Sequence, residues 1–245
     1  YAITNVGTLK ADSVTINNVN DENYSNYFNF HGAQFKKVDE NDSSNIEFKT
    51  SGTVTFGSNE NSTTSFEKDL THTVGTTVIN GTFSADVNNI RLGETKINGS
   101  VIAENAEFGD TNLTGKITSQ KININSKLIL DGQVNGNEIN LSEIELKASS
   151  LIKSDSDTGF LSLKGNIVLY ETVSEDTKVN LTLDVNTKIE SNAKKIDVNN
   201  GNLFVLKNFI SNVSLEINSN VYFYGNDGME TVFGSTDGTD TISKI

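Results

Sequence analysis

Four segments decide the fold: Ile79-Asn80-Gly81-Thr82-Phe83-Ser84-Ala85, Ile97-Asn98-Gly99-Ser100-Val101-Ile102-Ala103, Leu113-Thr114-Gly115-Lys116-Ile117-Thr118-Ser119 and Leu130-Asp131-Gly132-Gln133-Val134-Asn135-Gly136. Each is followed by a second apolar burst: Ile90-Arg91-Leu92, Ala106-Glu107-Phe108, Ile122-Asn123-Ile124 and Ile139-Asn140-Leu141. The anchoring glycines Gly81, Gly99, Gly115 and Gly132 recur at a nearly constant step. The shared pattern is apolar-x-Gly-x-apolar-x-small, then a polar corner, then apolar-x-apolar. Alternation with period 2 marks half-buried strands, and a fixed step marks a repeat architecture. A step of about 17 residues is too short for a helical repeat and suits one coil of a parallel β-solenoid. Equivalent strands of successive coils then stack at about 4.8 Å.

This pattern assigns each position a role. Apolar residues point inward, and the small residue (Ala85, Ala103, Ser119, Gly136) faces a tight interior corner. Glycine is expected where the turn needs a backbone conformation that a Cβ forbids. Similar bursts flank the block, among them Val54-Thr55-Phe56, Ile167-Val168-Leu169, Leu181-Thr182-Leu183 and Leu203-Phe204-Val205. No apolar stripe at helical spacing runs beyond two turns, and Asn, Thr and Gly are poor helix formers. The chain therefore reads as all-β. It divides into N-terminal coils (1–78), regular repeats (79–143), irregular coils (144–224) and a C-terminal end (225–245). At about 17 residues per coil the chain makes about 14 rungs, a stack of about 65–70 Å.

One stretch, 21–44, reads differently. It crowds Tyr24, Tyr27, Phe28, Phe30 and Phe35 ahead of the charged run Lys36 to Asp42. An inserted loop or an end cap accounts for it, and an exposed aromatic contact surface is the alternative.

Composition narrows the chemistry. Among 245 residues there is no Cys, Pro or Trp, and the net charge is −13. Without Cys there are no disulfides, thiolate metal sites or cysteine nucleophiles. The two histidines, His31 and His72, lie far apart in sequence and offer little for zinc. Nucleic acid is disfavoured, because phosphate binding needs clustered cations and Arg91 is the single arginine. No apolar run approaches the roughly 20 residues of a membrane helix, and no charged-then-apolar start marks a signal peptide. Pro cannot donate into a ladder, which fits its absence from a chain that is mostly ladder.

Catalysis finds no support in the residues. Glycoside hydrolysis needs two carboxylates across one cleft. Pairs such as Glu143/Glu145 share a strand face that reads as solvated, and Arg91 is expected to point outward between Ile90 and Leu92. No Ser/His/acid set or phosphate loop is evident, so the chain reads as a non-enzyme.

The C-terminus carries the sharpest local motif. It runs Gly225-Asn226-Asp227-Gly228-Met229-Glu230-Thr231-Val232-Phe233 and then Gly234-Ser235-Thr236-Asp237-Gly238-Thr239-Asp240-Thr241-Ile242. Both halves resemble the nonapeptide Gly-Gly-x-Gly-x-Asp-x-apolar-x of RTX-type calcium-binding β-rolls. The departures are Asn226 and Ser235 for the second Gly, Glu230 for Asp, and Thr236 as an extra residue. The resemblance implies a calcium site at Asp227, Gly228, Glu230, Asp237, Gly238 and Asp240, since Ca²⁺ takes six to eight oxygens in flexible geometry. A weaker candidate is Asp155-Ser156-Asp157-Thr158-Gly159, which resembles the front of an Asp-x-Asp-x-Asp-Gly loop. Its third acid is missing, and Asn166 stands where the bidentate Glu belongs.

A Cys-free, Asn/Thr/Gly-rich β body ending in such turns is similar to RTX-type surface-layer proteins of Gram-negative bacteria. That resemblance implies an extracellular, structural component of a bacterial surface coat. Its partners are copies of itself in an oligomer or two-dimensional lattice, and possible contact with cell-surface polysaccharide is part of the same expectation. The alternative is an adhesin of the autotransporter-passenger kind, binding host glycan or protein through the aromatic stretch. The block 79–143 also resembles the rungs of bactofilins, which implies a polymer-forming role as a lesser alternative.

Overall fold

A computed structural model describes residues 2–5, 8–10, 14–17, 27–30, 32–174, 176–190, 192–211, 213–224 and 228–233. These residues hold strands and turns and no helix, so no helix among them is long and apolar enough to cross a membrane. The chain is a parallel β-solenoid that divides into two compact units, Tyr1–Ile122 and Asn123–Ile245.

Each coil of the first unit contributes strands to three columns, paired in parallel. One column runs from Ala2–Asn5 through Tyr27–Phe30 and Thr53–Phe56 to Leu70–Ile79 and Thr82–Ile97. The second passes through Thr8–Lys10, Gln34–Lys36 and Thr63–Phe66, and the third through Val14–Asn17 and Ile46–Lys49. The repeat alignment read from sequence is the register observed. Ile79 pairs with Ile97, Phe83 with Val101, Ile90 with Ala106, Leu92 with Phe108 and Ile97 with Leu113. All of these side chains are buried. Ala85, Ala103 and Ser119 are buried as well, and the Ser119 hydroxyl donates to carbonyls of Glu104 and Lys121, 2.9 Å from each.

The second unit repeats the plan. Gln133, Leu151, Thr182, Phe204 and Tyr222 are successive register partners in one column. Leu161, Thr187, Phe209 and Thr231 follow Ile139 in the next, and Ile167, Ile196 and Ile217 follow Ile144 in the third.

Two sequence expectations are corrected. The tight coils of the regular block, with Ile90 on Ala106 and Phe83 on Val101, give way to longer ones in the second unit. There Glu138 pairs with Phe160 and Ser150 with Leu181, partners much further apart along the chain. The described residues therefore make about nine coils, where the sequence reading gave 14. Corners absorb the extra residues, because a loop at a corner lengthens the coil without disturbing the rungs above and below. The glycines also serve another purpose than the expected one. Gly81, Gly99 and Gly115 are absent from the residues with left-handed φ. What excludes a Cβ there is stacking: it would lie 2.0 Å from the Gly81 carbonyl oxygen at Gly99 and 1.8 Å from the Gly99 oxygen at Gly115.

The two cores differ in content. Phe28, Phe30, Phe35, Phe48, Phe56, Phe66 and Phe83 fill the first unit from the second coil onward, all buried. Phe35 stacks on Phe66 at 4.4 Å and Phe66 on Phe83 at 4.8 Å, while Phe56 meets Phe83 edge-on at 5.3 Å. The second unit is filled mainly by Ile, Leu and Val. Within the stretch 21–44, Tyr27–Phe30 and Gln34–Lys36 are therefore wall strands, and the loop proper begins at Lys37.

Candidate metal turns and the outer wall

The C-terminal turn is described at Gly228 and Glu230; Asp227, Asp237, Gly238 and Asp240 lie outside the described residues. Gly228 has φ of +95°, the left-handed region, with open space where a Cβ would stand. Two residues on, the Glu230 N–H donates to Asn208 Oδ1 at 2.7 Å and its carbonyl accepts from the Phe209 N–H at 3.0 Å. These bonds lay the start of strand Thr231–Phe233 onto Phe209–Ser211 and leave Glu230 exposed. A left-handed glycine, an exposed carboxylate and a wall strand thus follow in the order of the nonapeptide. Among the described residues no group of three or more His, Asp or Glu is placed to hold a metal.

The second candidate loop has its oxygens engaged by the chain itself. The Asp155 carboxylate meets the Lys153 ammonium at 2.5 Å and accepts from Asn135 Nδ2 at 2.8 Å. The Lys207 ammonium, brought in from the bend between Val205 and Phe209, donates to the Ser154 carbonyl at 3.0 Å. Asn186 Nδ2 donates to the carbonyls of Asp157 and Gly159, each at 2.9 Å. A tethered ammonium and an amide therefore sit where a cation-binding loop presents its carbonyls. Asp157 itself is exposed.

The remaining acids read from sequence are placed on the outer wall. Glu143 is exposed, and Glu145 pairs with Lys127 at 2.8 Å. Arg91 points outward and lies 3.4 Å from Glu107, its register neighbour. Such exposed pairs contribute about 0–1 kcal/mol each. Between them run amide ladders. Asn98 donates to Asn80 at 2.9 Å, Asn105 to Asn89 at 2.6 Å, Asn140 to Asn123 at 2.8 Å and Asn202 to Asn180 at 2.8 Å. Each ladder satisfies one side chain with the equivalent residue of the neighbouring rung, which gives part of the chain's Asn a structural role.

Two buried polar clusters had no sequence signal. Lys68, 2% exposed at its side chain, meets Asp42 at 2.5 Å and donates to Ser44 Oγ at 2.9 Å. Asp42 also accepts from the backbone N–H groups of Val38 and Ser44, so the loop after Lys37 is folded around its carboxylate. The Lys68 ammonium, with these donors, holds the Asp42 carboxyl far below the usual carboxylate range. His72 is fully buried beside Phe48. Its Nε2 lies 3.0 Å from the Thr50 carbonyl, which can only accept, so Nε2 carries the proton and Nδ1 accepts from Thr77 Oγ1 at 2.8 Å. Burial lowers its pKa from the ordinary 6.5, so the ring is a neutral structural element.

Aromatic exposure lies elsewhere than in the stretch 21–44 among the described residues. Phe28, Phe30 and Phe35 are buried, which removes them as a contact surface; Tyr24 and the Tyr27 side chain lie outside the described residues. The exposed aromatics among the described residues are instead Phe160 at 42% and, near the C-terminal end, Tyr222, Phe223 and Tyr224 at 42%, 36% and 58%. No protein-family model matches this chain, and no curated protein and no solved structure matches it either.

Proposed function

We propose that the chain is a structural component of a bacterial cell-surface coat, S-layer-like, assembling outside the cell with calcium. One observation carries this reading: most described residues of both units belong to stacked parallel coils whose outward positions hold amide ladders and paired charges. A wall of this kind spends its sequence on a rigid, repeated surface, which suits lateral association with further copies.

Charge and turn chemistry support a role for calcium. Thirty-two acids against 19 bases repel one another in the folded state, and a divalent cation relieves that repulsion. The left-handed Gly228 and the exposed Glu230 give the first turn a backbone and a ligand suited to the ion. Calcium is scarce inside cells, so the terminal turns would order after export. Electron microscopy of the purified chain tests the reading. Sheets or regular oligomers should form in millimolar calcium and dissolve in chelator, whereas particles of unchanged form in both would contradict it.

A further inference from the structure

The outer wall of Asn123–Ile245 carries one column that departs from its neighbours. Along Gln133, Leu151, Thr182, Phe204 and Tyr222 the outward residue turns aromatic at the last two rungs. Phe204 and Tyr222 stack at 5.4 Å with 26° between their planes. Tyr224, just past the end of that strand, is near-parallel to Tyr222, 6.3 Å away at 14°, and tilted against Phe204, 6.2 Å away at 31°. The backbone beneath is fixed, because the Tyr224 N–H donates to the Val205 carbonyl at 2.8 Å and so extends the ladder past Phe223.

Amides lie beside the rings. Two residues before Phe204 and Tyr222, on the same face, stand Asn202 and Asn220. They continue a ladder in which Asn202 donates to Asn180 at 2.8 Å and Asn220 to Asn202 at 3.4 Å. Near-parallel rings and a row of amides therefore share one rigid face, about two residues apart along the strand.

We infer that this face binds a neutral polysaccharide. A pyranose ring presents an apolar C–H face and a rim of hydroxyls. The C–H face packs on the exposed rings of Tyr222 and Tyr224, and the hydroxyls pair with the tyrosine O–H groups and the Asn202/Asn220 amides. Charge selects against an anionic glycan, since the rings and amides carry no cation and the chain as a whole is −13. A stable protein interface buries about 800 Å² per partner, more than three rings edged with amides supply as a hydrophobic centre. The face is pre-ordered, so binding needs little further loss of side-chain freedom. The inference does not rest on the calcium turns.

The test is retention of the whole chain on insoluble cellulose, xylan, starch and chitin, with polygalacturonate as the acidic control, all in chelator so that calcium-driven assembly plays no part. Tyrosine fluorescence with soluble oligomers of the same sugars gives the affinity, since the chain has no Trp. At least one neutral polymer should retain the protein, and Y222A/Y224A should weaken binding by roughly tenfold or more. Should that double variant lose its β signal by circular dichroism, Asn220→Ala, on the exposed outer face, serves in its place and should weaken binding in the same assay. Retention by none of the neutral polymers, retention only on polygalacturonate, or retention untouched by variants that fold would each overturn the inference.

Discussion

The carbonyl oxygen of Gly81 stands 2.0 Å from the position a Cβ on Gly99 would take, and the Gly99 carbonyl stands 1.8 Å from that of Gly115. The backbone of each rung thus occupies the side-chain space of the next, which is why a glycine recurs at every step from Gly81 to Gly115. Gly99→Ala should destabilise the chain by about 2–3 kcal/mol through overpacking against backbone that cannot swing aside. Urea unfolding followed by circular dichroism measures it. A loss no larger than that of a surface substitution would refute the stacking explanation.

Phe56 touches Phe30, Phe48, Phe66 and Phe83, and is 1% exposed. Truncation to Ala empties the centre of that cluster and should cost about 3–5 kcal/mol. The Phe56→Leu variant, which keeps most of the volume, should lose clearly less in the same unfolding experiment.

His72 predicts an acid-sensitive window. Burial holds its pKa below 6.5, so the unfolded chain takes up a proton first as pH falls. The stability owed to neutral His72 is complete above 6.5, declines as pH drops below that value, and levels off once the folded ring also protonates. Asp42 and Glu190, whose pKa values are lowered from 3.8 and 4.5, lose their contributions only at more acid pH. Unfolding free energies at pH 7.5 and 5 should therefore differ in the native chain and differ less in His72→Gln.

Lys207 reaches from its bend to the Ser154 carbonyl and leaves the Asp155–Gly159 loop held by an ammonium. Lys207→Met keeps the packing of the stem but removes that donor. Amide hydrogen exchange should then speed up at Ser156 to Gly159 with the neighbouring strands unchanged; faster exchange throughout the unit would mean that Lys207 supports the fold generally.

The fold was legible because two periods are written into the sequence, alternation within a strand and a nearly constant step from Gly81 to Gly99, Gly115 and Gly132. Those periods give the register of Ile79 on Ile97 and Phe83 on Val101 directly. Coil length outside the block was not legible, since corner insertions such as 37–45 and 170–178 obey neither period. The crowding of Phe28, Phe30 and Phe35 concealed ordinary inward alternation, because a large ring is as compatible with a solenoid core as with a contact surface. Lys68 and His72 were invisible for a different reason: each is buried by partners supplied from distant parts of the sequence, Asp42 and Ser44 for one and Thr50 for the other. Of the acidic turns read at the C-terminus, Gly228 has a left-handed backbone, while Asp227, Asp237, Gly238 and Asp240 lie outside the described residues.

The most direct measurement is a calorimetric calcium titration of the purified chain with light scattering read at each addition. Saturable calcium uptake accompanied by assembly, both weakened in Asp227→Asn and Glu230→Gln, is the result expected of a calcium-ordered coat component. No uptake at millimolar calcium, or assembly that proceeds equally in chelator, would contradict it.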